Sequence, residues 1–182
     1  MRFSVNRRGS LILMATKTLI APEEYLRTSF EGAEPDYVDG ELVERSVPNF
    51  FHSEIQVALG DAFKPWQDRK QLFRAAEIRL RLVHNKFRVA DFALFSSIQQ
   101  DAIPESAPYA VVEIVSSDDR HEDLMSKLAD YEEAGVEFIF VADPPTRKLS
   151  RYRNGDLMAL SSLDLPAHRL NIPLESIFVR PA

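Results

Sequence analysis

The stretch from Tyr109 to Ala142 constrains the fold of this chain most. Tyr109 to Val115 is nearly all apolar, and Val136 to Ala142 is a continuous apolar run ended by Asp143-Pro144-Pro145. Runs without alternation belong to strands covered on both faces. Between them, about Arg120 to Ala134 reads as a helix, with Gly135 placed as its C-terminal cap. Strand, helix and strand in that order predict a right-handed crossover between two parallel strands.

The other segments extend that unit. Pro22 to Leu26 starts a short helix, with proline in the first turn and acids near the positive end of the dipole. Tyr37 to Val43 is a hairpin around Asp39-Gly40, a strong two-residue turn signal. His52 to Trp66 carries Ile55, Leu59, Ala62, Phe63 and Trp66 at helical spacing, and Pro65 is expected to help stop that helix. Glu77 to Val83 alternates, with Ile78, Leu80 and Leu82 on one face and Glu77, Arg79 and Arg81 on the other. His84-Asn85-Lys86 is the expected turn and Phe87 to Phe95 the return strand. Leu149 to Tyr152 and Leu157 to Leu160 flank Asn154-Gly155, a second hairpin. The fold class is α/β in the mixed-sheet, α+β sense, with helices packed on the sheet.

The 182 residues suffice for one sizeable core, and residues 14–182 are expected to form a single domain. Residues 1–13 are expected to be a poorly ordered extension, with Met14 an alternative start; the apolar part, Leu11 to Ala15, is too brief for a signal sequence. No stretch approaches the length of a membrane-spanning helix. The chain has no cysteine, which excludes disulfides, thiolate metal sites and a cysteine nucleophile and fits a reducing cytoplasm. Its net charge of −6 repels nucleic acid as a whole, so a DNA contact requires a local basic patch. Arg79, Arg81, Lys86 and Arg88 either supply one or guard a strand edge against aggregation.

Three charged residues stand where the pattern calls for apolar ones. Asp91 lies among apolar neighbours from Val89 to Phe95, and Glu113 among those from Tyr109 to Val115. A carboxylate inside a buried strand costs several kcal/mol unless it is paired, protonated or bound to metal. Two of them on adjacent elements suggest a shared divalent cation of the Mg²⁺ type, which prefers oxygen ligands. Lys127 recurs with Leu124, Tyr131 and Ala134 on the inward stripe of the helix that follows Glu113. Asp, Glu and Lys around a hard cation suit phosphodiester hydrolysis, the lysine positioning water or neutralising charge on the phosphate.

Each has a structural alternative. A turn centred on Asn85 places Arg79 opposite Asp91, which allows a plain ion pair. Lys127 alone also fits snorkelling, or pairing with Asp123 one turn earlier. His52 stands at a helix start, where capping competes with an approach to metal or phosphate. Glu77 is a third acid or a solvated strand residue, and Glu41 fits a turn residue better than a ligand.

Several segments together resemble a large bacterial family of restriction endonucleases in the PD-(D/E)XK nuclease superfamily. They are Tyr37 to Glu44, His52-Ser53, Arg88 to Asp91, Val112 to Arg120, Lys127-Leu128 with Tyr131 and Gly135-Val136, and Val141 to Pro144. The match runs from about Pro22 to Phe178. The resemblance implies a restriction-endonuclease-like core, Asp91 and Glu113 as metal ligands for Mg²⁺ or Mn²⁺, Lys127 as the catalytic lysine, and His52 at a family histidine. In the wider superfamily the lysine stands two residues after the glutamate; here that position is Val115, and the resemblance implies that the lysine has moved to the following helix. The chain departs from the family at Ala90 and Ser117, where proline is usual. The implied activity is hydrolysis of DNA, in a homodimer if both strands are to be cut. The alternative is a catalytically silent relative that binds nucleic acid or a protein partner.

Overall fold

The computed structural model describes residues 19–83, 85–116 and 119–179. The expectations for residues 1–13, Met14, His84 and Ser117 lie outside them.

The central strand is β4 (Lys86–Phe95), buried from Phe87 to Phe95 as its apolar sequence requires. Along one edge runs β3 (Phe73–Arg81), in register from Phe73 opposite Phe95 to Arg81 opposite Phe87. The other edge is shared. The start of β4 pairs with β1 (Asp36–Val38), at Lys86 and Phe87, and its far half with β5 (Ala110–Ile114), at Phe92 to Leu94. Outside β1 lies β2 (Glu41–Val43), joined to it by Asp39 and Gly40, both at positive φ as a tight hairpin turn demands.

The crossover forms as the apolar runs require. β5 leads through the helix His121–Glu133 to β6 (Phe138–Asp143), which lies parallel to β5. The sheet is completed by β7 (Lys148–Arg153) and β8 (Asp156–Leu160), turned at Asn154-Gly155. Its order is β2-β1-β4-β5-β6-β7-β8, with β3 on β4, and every pairing but β5–β6 is antiparallel.

Helices cover both faces. We call the helices α1 (Pro22–Arg27), α2 (Phe50–Asp68), α3 (the crossover helix) and α4 (Leu174–Ile177). Ile55, Leu59 and Phe63 of α2 pack on Phe92, Val112 and Phe140, whereas Leu128 and Tyr131 of α3 pack on Ala93, Val111 and Ile139. Pro65 does not stop α2, which runs on to Asp68. It falls in the last turn, where a missing N–H costs one bond, and the end is held by Trp66 Nε1 donating to the His168 carbonyl at 3.2 Å. A small sheet of β9 (Ser162–Leu165) and β10 (Leu170–Pro173), with α4, closes the α2 side of the core.

One buried ion network ties three elements together. Arg88 of β4, 2% exposed, donates to Asp36 of β1 at 3.1 Å and to Asp130 of α3 at 2.5 and 2.8 Å. Lys86 adds a 2.5 Å bond to Asp130. Removing one partner from such a network leaves charge unpaired in the interior. Asp130→Ala is therefore expected to cost about 3–5 kcal/mol in urea denaturation. Lys64→Ala, which removes an exposed pair with Asp68, is expected to stay within about 1 kcal/mol.

Candidate active site

The site opens where β1 and β5 part company along β4. Between Phe87 and Phe92, side chains replace the missing ladder. The Val89 N–H donates to Asp36 Oδ1 at 2.8 Å, and the Val89 carbonyl accepts from Lys127 Nζ at 2.8 Å. The Ile114 N–H donates to Asp91 Oδ2 at 2.7 Å. On the opposite edge Glu77, across from Asp91, has φ +48°, a backbone state that costs a non-glycine residue roughly 1–3 kcal/mol. Alternation changes phase there: Phe73 and Ala75 before it, and Ile78 and Leu80 after it, all face the α3 side. Asp91 thus sits at a kink shared by two strands, beside a gap in the sheet.

Glu113 lies on β5, next to the residue that donates to Asp91. Its two oxygens accept from Lys127 Nζ at 2.5 Å and the Tyr131 hydroxyl at 2.8 Å. Lys127 and Tyr131 are four residues apart on α3, so one helix face delivers both. Asp91, Glu113 and Lys127 are 5%, 3% and 7% exposed.

His52 enters from α2. Asn49 caps that helix by accepting from the His52 N–H at 3.1 Å, and His52 Nε2 lies 3.3 Å from Asp91 Oδ2. Its Nδ1 is buried, with no hydrogen-bond partner among the described residues. Arg45, just past β2, donates to Asp91 Oδ1 at 2.8 Å and to Glu77 at 3.1 Å. Gln56 of α2 bridges Glu77 at 2.7 Å and the Asp91 carbonyl at 3.0 Å. His52, Glu77 and Asp91 each offer a ligand atom within 4.8 Å of the others. Asp91, Glu113, Lys127, His52 and Arg45 all line one cleft of about 650 Å³.

The two acids titrate apart. Burial pushes the Asp91 carboxyl up, but the His52 hydrogen bond and the charges of Lys127 and Arg45 outweigh it and hold it well below the usual carboxylate range. Burial dominates at Glu113, raising it to about 7 against the pull of Lys127, with the Asp91 charge adding to the rise. Burial lowers the Lys127 ammonium, but Glu113, Asp36 and Asp91 more than reverse this and its pKa is raised.

A family model matches residues 22–175, that of Uma2, described as "Putative restriction endonuclease". The chain belongs to the Uma2 family. No curated protein matches it. Among solved structures it is similar to "a putative nuclease belonging to DUF820" from Anabaena variabilis ATCC 29413. The two share 18% identity over 88% of this chain and 98% of that one, at a TM-score of 0.73. The mixed sheet is therefore a restriction-endonuclease-like fold. A slighter likeness is to the DrdV–DNA complex, at 14% identity over 72% of this chain and 14% of that one, with a TM-score of 0.36.

Within this Uma2 chain the sequence candidates converge in one place, and several pairings differ from expectation. Arg79 lies opposite Val89, and it binds Glu34 and stacks 4.6 Å over the Tyr25 ring; the cation on Asp91 is Arg45. Lys127 turns to Glu113, not to Asp123. His52 both follows the cap and reaches Asp91. Glu77 is exposed but joins the cluster, and Glu41 lines the cleft. The candidate basic patch is paired with the chain's own acids: Arg79 with Glu34, Arg81 with the exposed Glu105, Lys86 and Arg88 with Asp130. Sequence reading missed Arg45, Gln56 and Asp36. Arg45 stands in an irregular connection without periodicity, and its one signal is that buried Asp91 needs a cation.

If the Lys127–Glu113 pair is a buried charge couple, breaking it from one side exceeds the cost of removing both. Lys127→Met is expected to lose about 3–5 kcal/mol by denaturant titration, and adding Glu113→Gln to recover at least about 1 kcal/mol of it. Simple additivity of the two substitutions would contradict the coupling.

Proposed function

We propose that this Uma2 protein is a divalent-metal-dependent endonuclease that hydrolyses phosphodiester bonds in DNA, with Asp91, Glu113, Lys127 and His52 as its working residues. The observation that carries the reading is the meeting of two buried carboxylates from adjacent strands with one lysine from the following helix. Without a chemical task such a set is costly to keep.

The donor chemistry fits Mg²⁺ or Mn²⁺: Asp91 and Glu113 bring hard oxygen ligands to one edge of a cleft, as these ions require. When bound, such a cation polarises a phosphate oxygen and favours attack by water. The chain's own groups do the rest. The Ile114 N–H and His52 Nε2 fix the orientation of Asp91 through Oδ2, and Tyr131 fixes Glu113. Lys127 donates to Glu113 and to the Val89 carbonyl, which leaves one of its three N–H groups to position water or meet a phosphate oxygen. Cutting both strands calls for two such sites, hence a homodimer, and the lack of cysteine suits the reducing cytoplasm. Among the described residues no helix is long and apolar enough to cross a membrane.

A second reading, a silent relative that binds nucleic acid or protein through the same fold, is favoured by Arg45 seated on Asp91. Nuclease assays on plasmid and single-stranded DNA with Mg²⁺ or Mn²⁺ separate the two. The wild type is expected to cleave, and Asp91→Ala and Lys127→Ala, checked for folding by circular dichroism, to lose about 100-fold or more. A wild type that cuts nothing, with variants altered in stability alone, would leave the silent reading standing.

A further inference from the structure

Asp91 divides its two oxygens between different tasks. Oδ2 accepts from the Ile114 N–H and faces His52 Nε2, both of which hold the carboxylate in place. Oδ1 is turned to a different partner, the Arg45 guanidinium at 2.8 Å. The same nitrogen reaches Glu77 at 3.1 Å, and Arg45 Nη1 reaches the Glu34 carbonyl at 3.3 Å. The arginine therefore lies across Asp91 and Glu77, with its side chain 10% exposed.

We propose that Arg45 is the resident counter-ion of this site, in direct competition with the divalent cation for Asp91 Oδ1, and that it sets the metal affinity of the protein. The inference rests on the metal-dependent reading above. Seating a guanidinium and a divalent cation on one carboxylate oxygen is strongly disfavoured, because their repulsion in a buried setting is large. Metal entry thus requires Arg45 to leave, and the metal's apparent affinity falls by the fraction of molecules in which it is seated. Departure is feasible for the backbone. Arg45 stands between the end of β2 at Val43 and the start of α2 at Phe50, in a segment with no ladder to break. A structural clamp predicts the opposite: loss of Arg45 would loosen Asp91 and weaken any ion it holds.

Isothermal titration of Mn²⁺ into the metal-free full chain decides between them. Arg45→Gln, which keeps an N–H donor and removes the charge, is expected to bind Mn²⁺ about tenfold or more tightly than the wild type. The gain is expected to vanish when Asp91→Ala is added. If thermal melts show that Arg45→Gln does not fold, Arg45→Lys is read in its place, with a smaller gain in the same direction. Equal or weaker Mn²⁺ binding by the variant, beside a wild type that binds through Asp91, overturns the competition and leaves the nuclease reading intact. Absence of Mn²⁺ binding in both wild type and variant overturns both.

Discussion

Two carboxylates buried on neighbouring strands are the constraint to which this molecule answers. Neither Asp91 nor Glu113 can stand alone in the interior, and each recruits a cation from a different part of the chain. Glu113 takes Lys127 and with it fixes the rotation of α3, because the helix must also offer Tyr131 one turn on. Asp91 takes Arg45 and so draws in the segment after the N-terminal hairpin. The Asp36–Arg88–Asp130 network, immediately beside them, locks the same hairpin, strand and helix by a second route. The crossover and the hairpin are thus held to β4 by charge as well as by apolar contact.

The gap in the sheet is what makes these charges useful. Along β4 the pairing with β1 stops at Phe87 and that with β5 begins at Phe92, so backbone groups there need other partners. Asp36 and Lys127 supply them at Val89. A sheet without the gap would have put Asp91 under a neighbouring strand. With it, the carboxylate keeps its fixed backbone position and still borders a cleft.

Much of this was legible because local physics decided it. Apolar runs announced the crossover, Asp-Gly and Asn-Gly marked the hairpins, and Asp91, Glu113 and Lys127 stood out as charges inside apolar patterns. What stayed hidden depended on distant pairing. The register opposed Arg79 to Val89, and the kink at Glu77 was not visible in a strand that alternates on either side of it. The partnership of Arg45 with Asp91 spans 46 residues with no periodic pattern to announce it. The β9–β10 hairpin is two four-residue strands broken by Pro166, too short for alternation to rise above chance.

A net charge of −6 repels nucleic acid as a whole, and the structure sharpens this into a statement about order. Charges farther than about 10 Å are screened at ordinary ionic strength, so the cleft's own lining matters more than the whole. Among the described residues that lining carries seven acidic side chains and four of lysine or arginine, one of which is Arg45, bound to Asp91. Arg79 and Arg81 of β3 are held by Glu34 and Glu105 and do not offset the imbalance. A phosphodiester backbone approaching this cleft meets a negative surface until positive charge is added. On the nuclease reading the metal therefore has two tasks, to favour the chemistry and to make the cleft hospitable to a polyanion, and the second comes first.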